Sequence, residues 1–145
     1  MSGTRLYYSS TLKQLVFGYQ RCPWLKVRFD DKQVWEAEKR YVLMAVTNGP
    51  TYGAGFRINP DADPCDGLFD VCTIAYAPLL RALRLLPVVQ KGEHNGLPEV
   101  SFYRAKSVGI ESRTPVNIEL DGETDSARHL EAKILPGALC IRTRL

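Results

Sequence analysis

The chain has 145 residues, 45% of them hydrophobic, and 19 Lys and Arg against 16 Asp and Glu leave a net charge of +3. That length supports one substantial core and is short for two. The charge is too small for a basic nucleic-acid footprint, so no nucleic-acid partner is expected. The longest apolar stretches, Tyr41 to Val46 and Leu79 to Val89, are short or interrupted by Arg81, Arg84 and Pro87, and neither approaches the ~20 residues that span a bilayer.

Cys22, Cys65, Cys72 and Cys140 are irregularly spaced and form no Cys-x-x-Cys pair, so they read as reduced thiols of a cytosolic protein. Met1 to Arg5 leads into polar residues rather than an apolar run, which does not support secretion.

Ser9, Ser10 or Thr11 caps a predicted helix whose apolar positions Leu12, Leu15, Val16 and Tyr19 follow three-and-four spacing. From Trp24 the pattern alternates. Trp24, Lys26, Arg28 and Asp30 share one strand face, and Leu25, Val27 and Phe29 the other. Asp30-Asp31-Lys32 reads as a turn and Gln33 to Ala37 as the returning strand. Tyr41 to Thr47 predicts a strand buried on both faces, ending at Asn48-Gly49-Pro50.

The glycines of Thr51 to Phe56 predict a bend or a close backbone approach; no Lys-Ser/Thr and no opening helix follow to make a nucleotide loop. Asp61 to Gly67 is a turn-rich loop, and Leu68 to Tyr76 the next strand. Pro78 opens a helix of about nine residues with Leu79, Leu83 and Leu86 on one face. It reads as a sheet cover, although Arg81 and Arg84 also suit a membrane surface. After a polar loop from Lys91 to Pro98, strands are predicted at Val100 to Tyr103, Lys106 to Glu111, Val116 to Leu120 and Leu130 to Leu135, with Ala138 to Thr143 as a closing strand. Many short strands, one or two short helices and frequent Gly, Pro and Asp turns predict a mainly β fold, a β-sandwich.

Two constellations carry chemistry. Asp61, Asp63 and Asp66 place three carboxylates within six positions, a density relieved by solvent or a cation, and oxygen-rich loops suit Mg²⁺ or Ca²⁺. The other reading is an Asp-Gly turn whose side chains cap local N–H groups. An EF-hand is excluded, because the third acid and the glycine arrive one residue late and Cys72 stands at the bidentate Glu position. The second constellation is Asp121-Gly122-Glu123, just past a strand end. A carboxylate there can accept the proton of an attacking hydroxyl, as phosphoryl transfer requires; the same tripeptide is also a common hairpin turn. His94 and His129 lack partners at metal-ligand spacing and read as loop residues. No Gly-x-Ser-x-Gly nucleophile signature is present.

In order, NGPTYGAGFRINPDADPCDGLFDV (Asn48 to Val71), GEHNGLPEV (Gly92 to Val100), IELDGE (Ile118 to Glu123) and LPGAL (Leu135 to Leu139) resemble the diacylglycerol kinase, sphingosine kinase and YegS-like lipid kinases. The opening YYSSTLKQLVFGYQ is similar to the helix entering their second domain. The resemblance implies that residues 1–145 are the carboxy-terminal β-sandwich domain of a two-domain lipid kinase. The amino-terminal ATP-binding domain, with its GGDGT-type loop, is absent from this chain. It implies ATP as phosphoryl donor and a diacylglycerol-like lipid as acceptor, with Glu123 as proton acceptor and Asp121 as its supporting carboxylate. It also implies a structural Mg²⁺ (or Ca²⁺) site, with Asp66 offering its side chain and Asp63 and Leu68 their carbonyls. Pro64-Cys65 departs from the family pattern between those ligands.

The expected partners are the lipid substrate, the missing kinase domain, a peripheral membrane surface at the inner, cytoplasmic face and, as an open alternative, a second copy in a homodimer. The isolated chain is expected to be inactive. The competing reading is a non-catalytic β-sandwich module that binds lipid or protein.

Overall fold

The computed structural model describes residues 22–30 and 35–140. Among them, six strands form one antiparallel sheet in the order β4-β3-β2-β1-β5-β6. The strands are β1 (Trp24–Phe29), β2 (Lys39–Thr47), β3 (Phe69–Ala75), β4 (Val100–Ala105), β5 (Ser107–Leu120) and β6 (Glu123–Lys133); helix α1 (Leu79–Lys91) lies between β3 and β4.

The sheet folds on itself at a narrow seam. β1 and β2 pair only at Trp24 with Arg40 and Leu25 with Lys39, so past that corner the β1-β5-β6 and β2-β3-β4 halves diverge and face each other. The alternation read in β1 holds: Leu25, Val27 and Phe29 point inward and join Tyr41, Val71, Ala105 and Val108 in the inner core. Phe29 stacks on Tyr103 across this layer, with ring centroids 4.5 Å apart. A second core, of Ala45, Phe56, Ile58, Cys72, Ile74, Leu85 and Val89, lies between the outer face of β2 and β3, helix α1 and the loop before β3. Two packed layers around a doubly covered strand are what a β-sandwich-like domain of this size requires to bury its apolar surface.

The strand buried on both faces is β3, not β2. Val71, Cys72, Thr73 and Ile74 are all buried, whereas β2 buries only Tyr41 and Ala45 fully. β3 is flanked by strands along its length and has a core on each side, while β2 shares only two register pairs with β1. Residues 35–37, expected in a returning strand, are not in a strand; the return is made by β2. Asp30 occupies the left-handed region at φ 53°. Its Oδ1 accepts the Lys106 N–H at 2.5 Å, tying the end of β1 to the turn between β4 and β5.

Helix α1 runs 13 residues, longer than the expected nine, and Pro87 sits on its exposed side. Its buried stripe is Ala82, Leu85 and Val89, one position over from the predicted Leu79, Leu83 and Leu86. Those three leucines are half-buried flanks, because helical side chains lean toward the N-terminus and cover the preceding turn. Gly92, at φ 77°, ends the helix in the left-handed conformation and its N–H bonds to the Val88 and Val89 carbonyls.

The expected strands Lys106 to Glu111 and Val116 to Leu120 are one long strand, β5, whose register against β6 shifts between Glu111 and Val116. Residues 138–140 are not in a strand. The helix expected at Leu12 to Tyr19 and the end of the predicted closing strand lie outside the described residues, as do residues 31–34.

Candidate functional site

The acidic loop folds through its own side chains. Asp63 Oδ1 accepts the Cys65 N–H at 2.9 Å, Asp66 Oδ1 accepts the Leu68 N–H at 2.8 Å, and the Asp66 N–H reaches the Asp63 carbonyl at 3.4 Å. These are successive Asx turns, the local geometry that Asp offers the backbone two residues on. Asp66 Oδ2 forms an ion pair with Arg104 of β4, and Arg104 Nε lies 3.6 Å from Asp70 Oδ1 at the start of β3. Gly67 must be glycine here. Its φ is +73°, and a Cβ would stand 3.4 Å from Pro136, so the LPGAL segment packs directly on the Asp-Gly turn.

Two buried residues that sequence reasoning passed over anchor this region. Asn59, 2% exposed, donates through Nδ2 to Thr47 Oγ1 at 2.8 Å and to the Asp70 carbonyl at 3.0 Å. Thr47 Oγ1 in turn donates to the Gly49 carbonyl at 2.9 Å. One amide therefore joins the end of β2, the Asn-Gly-Pro turn and the start of β3. His94 is not a solvated loop residue but is fully buried. Its Nε2 donates to the Ile58 carbonyl at 2.9 Å and lies 3.8 Å from Cys72 Sγ, and its ring is 5.3 Å from Phe102. Burial pushes the Cys72 thiol up to about 12, so Cys72 is a packing residue, not a nucleophile. The available signal was the placement of Asn59 and His94 inside two of the ordered motifs. His129 lies in β6, exposed, 3.8 Å from Glu111 and 3.9 Å from Glu131.

The second constellation is built oppositely. β5 and β6 pair up to Leu120 with Glu123, leaving Asp121 and Gly122 as a two-residue turn, both with positive φ, 49° and 96°. That is the requirement of a type I′ hairpin turn, for which Asp-Gly is favoured. Asp121 and Glu123 are exposed, and neither carboxylate makes a hydrogen bond or ion pair among the described residues. Leu120 beside them is 60% exposed.

Structure does not bring the two constellations together. β3 meets β4 at Phe69 with Ala105, so the acidic loop lies near the base of the β5-β6 hairpin. From Ser107 to Leu120 is 13 residue steps (120 − 107), a strand path of roughly 40 Å at ~3.3 Å per residue. The turn carboxylates stand at the far end.

The carboxylates and carbonyls of the acidic loop are hard oxygen donors, the class that Mg²⁺ and Ca²⁺ take. Among the described residues no three His, Cys, Asp or Glu side chains converge as a metal cluster. A set of one Asp66 carboxylate with the Asp63 and Leu68 carbonyls does not need such a cluster. Both Asp66 oxygens already have partners, the Leu68 N–H and Arg104, so an ion bound through Asp66 would displace Arg104 from it.

A folded-over antiparallel sheet, a covering helix, an Asp-turn loop pinned to the body and a pair of carboxylates on a projecting turn define a β-sandwich-like domain with an outward-facing acidic tip. The family profile described as "YegS C-terminal NAD kinase beta sandwich-like domain" matches residues 2–143, and the chain belongs to that family. It is 38% identical over 92 residues to a diacylglycerol kinase of Mycobacterium tuberculosis, covering 63% of this chain and 29% of that protein. With a diacylglycerol kinase of Staphylococcus saprophyticus it shares 30% identity over 112 residues, 73% of this chain and 35% of the other. The chain thus spans about a third of the length of these relatives. A crystal structure of a diacylglycerol kinase from Bacillus anthracis has the same fold, with TM-score 0.61 at 20% identity over 86% of this chain and 44% of that one.

Proposed function

We propose that this chain is the carboxy-terminal domain of an ATP-dependent lipid kinase, which transfers a γ-phosphoryl group to a hydroxyl of a diacylglycerol-like lipid. Family membership and the names of the relatives support a lipid kinase parent. The observation that carries the assignment to residues is the Asp121-Gly122-Glu123 turn, an exposed tip whose carboxylates have no partner within the described residues.

In this reading Glu123 takes the proton from the lipid hydroxyl as that oxygen attacks the γ-phosphorus and the bond to ADP breaks. Asp121, two residues away on the same turn, keeps the local field negative and so favours the proton's arrival. In this reading nucleotide is held by the parent's amino-terminal domain, and the hairpin is the element that reaches toward it. Bound through Asp66 and the Asp63 and Leu68 carbonyls, Mg²⁺ would supply a fixed positive charge that stiffens the acidic loop, remote from the reacting atoms. Catalysis takes place at the cytoplasmic membrane surface, where the lipid hydroxyl is presented; no helix among the described residues is long and apolar enough to cross a membrane.

Glu123→Gln in the full-length parent is expected to lower kcat roughly 10²- to 10⁴-fold with an unchanged melting temperature. Near-normal turnover would defeat the base assignment. ATP-dependent lipid phosphorylation by the purified 145-residue chain would contradict the division of labour between two domains.

A further inference from the structure

A cleft of about 330 Å³ opens beside β3, lined in part by Asn59, Asp61, Asp70, Asn95, Phe102 and Arg104. Asp63, Asp66 and Leu68 do not line it. Two of its side chains are deeply buried, Asn59 at 2% and Asp70 at 7% exposure, and each has an oxygen without a hydrogen-bond partner, Asn59 Oδ1 and Asp70 Oδ2. The amide orientation is set by its donors. Nδ2 serves Thr47 Oγ1 and the Asp70 carbonyl, and turning the group over would lose both bonds. Asp70 Oδ1 faces Arg104, which leaves Oδ2 bare.

A buried acceptor without a partner is destabilising, more so when charged. The local charge selects what would relieve it. Among the described residues Asp61 and Asp63 have no ion pair, and Asp66 and Asp70 share the single guanidinium of Arg104. At the cleft itself Asp61 and Asp70 stand with the one guanidinium of Arg104, which Asp70 shares with Asp66. No cysteine or histidine lines the cleft, which disfavours zinc and leaves a hard, oxygen-seeking ion.

We propose that this cleft is a divalent cation site separate from the Asp63-Asp66-Leu68 loop, with Asp70 Oδ2 and Asn59 Oδ1 as inner ligands and the Asp61 carboxylate at its mouth. The site belongs to the domain alone and does not depend on the kinase reading.

The test is titration of the 145-residue chain with Tb³⁺, read by emission sensitised through Tyr103, which also lines the cleft, with Mg²⁺ and Ca²⁺ as competitors and calorimetry with each. Saturable binding is expected. Asp70→Asn should weaken it roughly a hundredfold and Asp61→Asn roughly tenfold, while Asp66→Ala, which removes only the acidic loop's own proposed ligand, leaves one saturable site. Asp61 is exposed, so its variant is expected to fold even if Asp70→Asn does not, and circular dichroism melts check each protein. Binding unchanged in Asp70→Asn or Asp61→Asn, binding lost in Asp66→Ala, or no saturable binding by the folded chain would each overturn the proposal.

Discussion

The acidic loop and the Asp121-Gly122-Glu123 turn are both Asp-Gly turns next to strands, yet they are held in opposite ways. The loop is anchored from beneath by Asn59, from the side by Arg104 and from above by Pro136, with His94 fixing the adjoining Ile58 carbonyl. Among the described residues the hairpin turn is held only by its own ladder and its two positive-φ residues. A carboxylate tied into many partners shapes structure, whereas one left open on a stiff support is available for chemistry with a second body. Under the proposed function, that difference gives the loop an architectural part and the tip the chemical one.

Removing a buried anchor should have the largest effect. His94→Ala deletes a fully buried ring and orphans the Ile58 carbonyl, so a loss of about 3 kcal/mol is expected from cavity and hydrogen-bond terms together, measured by urea unfolding. A loss under about 0.5 kcal/mol, the ordinary range for surface positions, would mean that the loop does not depend on its anchor. Gly67→Ala comes next. A left-handed φ and the nearby Pro136 predict a cost of about 1–2 kcal/mol, whereas Gly49→Ala, with nothing within 4 Å and no positive φ, should cost much less.

On the tip, Glu123→Gln should change unfolding free energy by no more than about 0.5 kcal/mol. A larger loss would show that the carboxylate has a structural partner and would erase the contrast. The smallest effect concerns Glu99, which takes two hydrogen bonds from Arg81 of α1, at 2.8 and 3.2 Å. That guanidinium holds the Glu99 carboxyl below its ordinary value. A carboxyl depressed in the folded state contributes stability above its unfolded pKa, and loses it as pH falls through the folded value. Glu99→Gln should therefore lower the melting temperature slightly near neutrality, and the difference should close on acidification below the usual carboxylate range. A difference that widens toward acid would contradict the sign.

Much of this was legible in the chain. The face of β1, the position of β3, the helix after Pro78 and the glycine bend before Phe56 all follow from local spacing. So do both candidate constellations, since turn chemistry is written in a few adjacent residues. The misreadings share a cause. Tyr41 to Thr47 carries the more continuous β-forming run, yet β3 is the doubly buried strand, because the narrow β1-β2 seam determines which strand has a core on each side. His94 looked like a loop residue because its polar neighbours Glu93 and Asn95 are exposed, while the partners that bury it, Ile58, Cys72 and Phe102, are distant in sequence.

The sequence alone determined the β class, the turn positions and which residues carry carboxylates, because backbone preference and apolar periodicity act over a few residues. Only tertiary structure decided which polar groups lose water and find partners: Asn59 and His94 inside, Asp66 paired with Arg104, Asp121 and Glu123 left open. Burial depends on chain segments brought together from far apart, and no local pattern encodes that meeting.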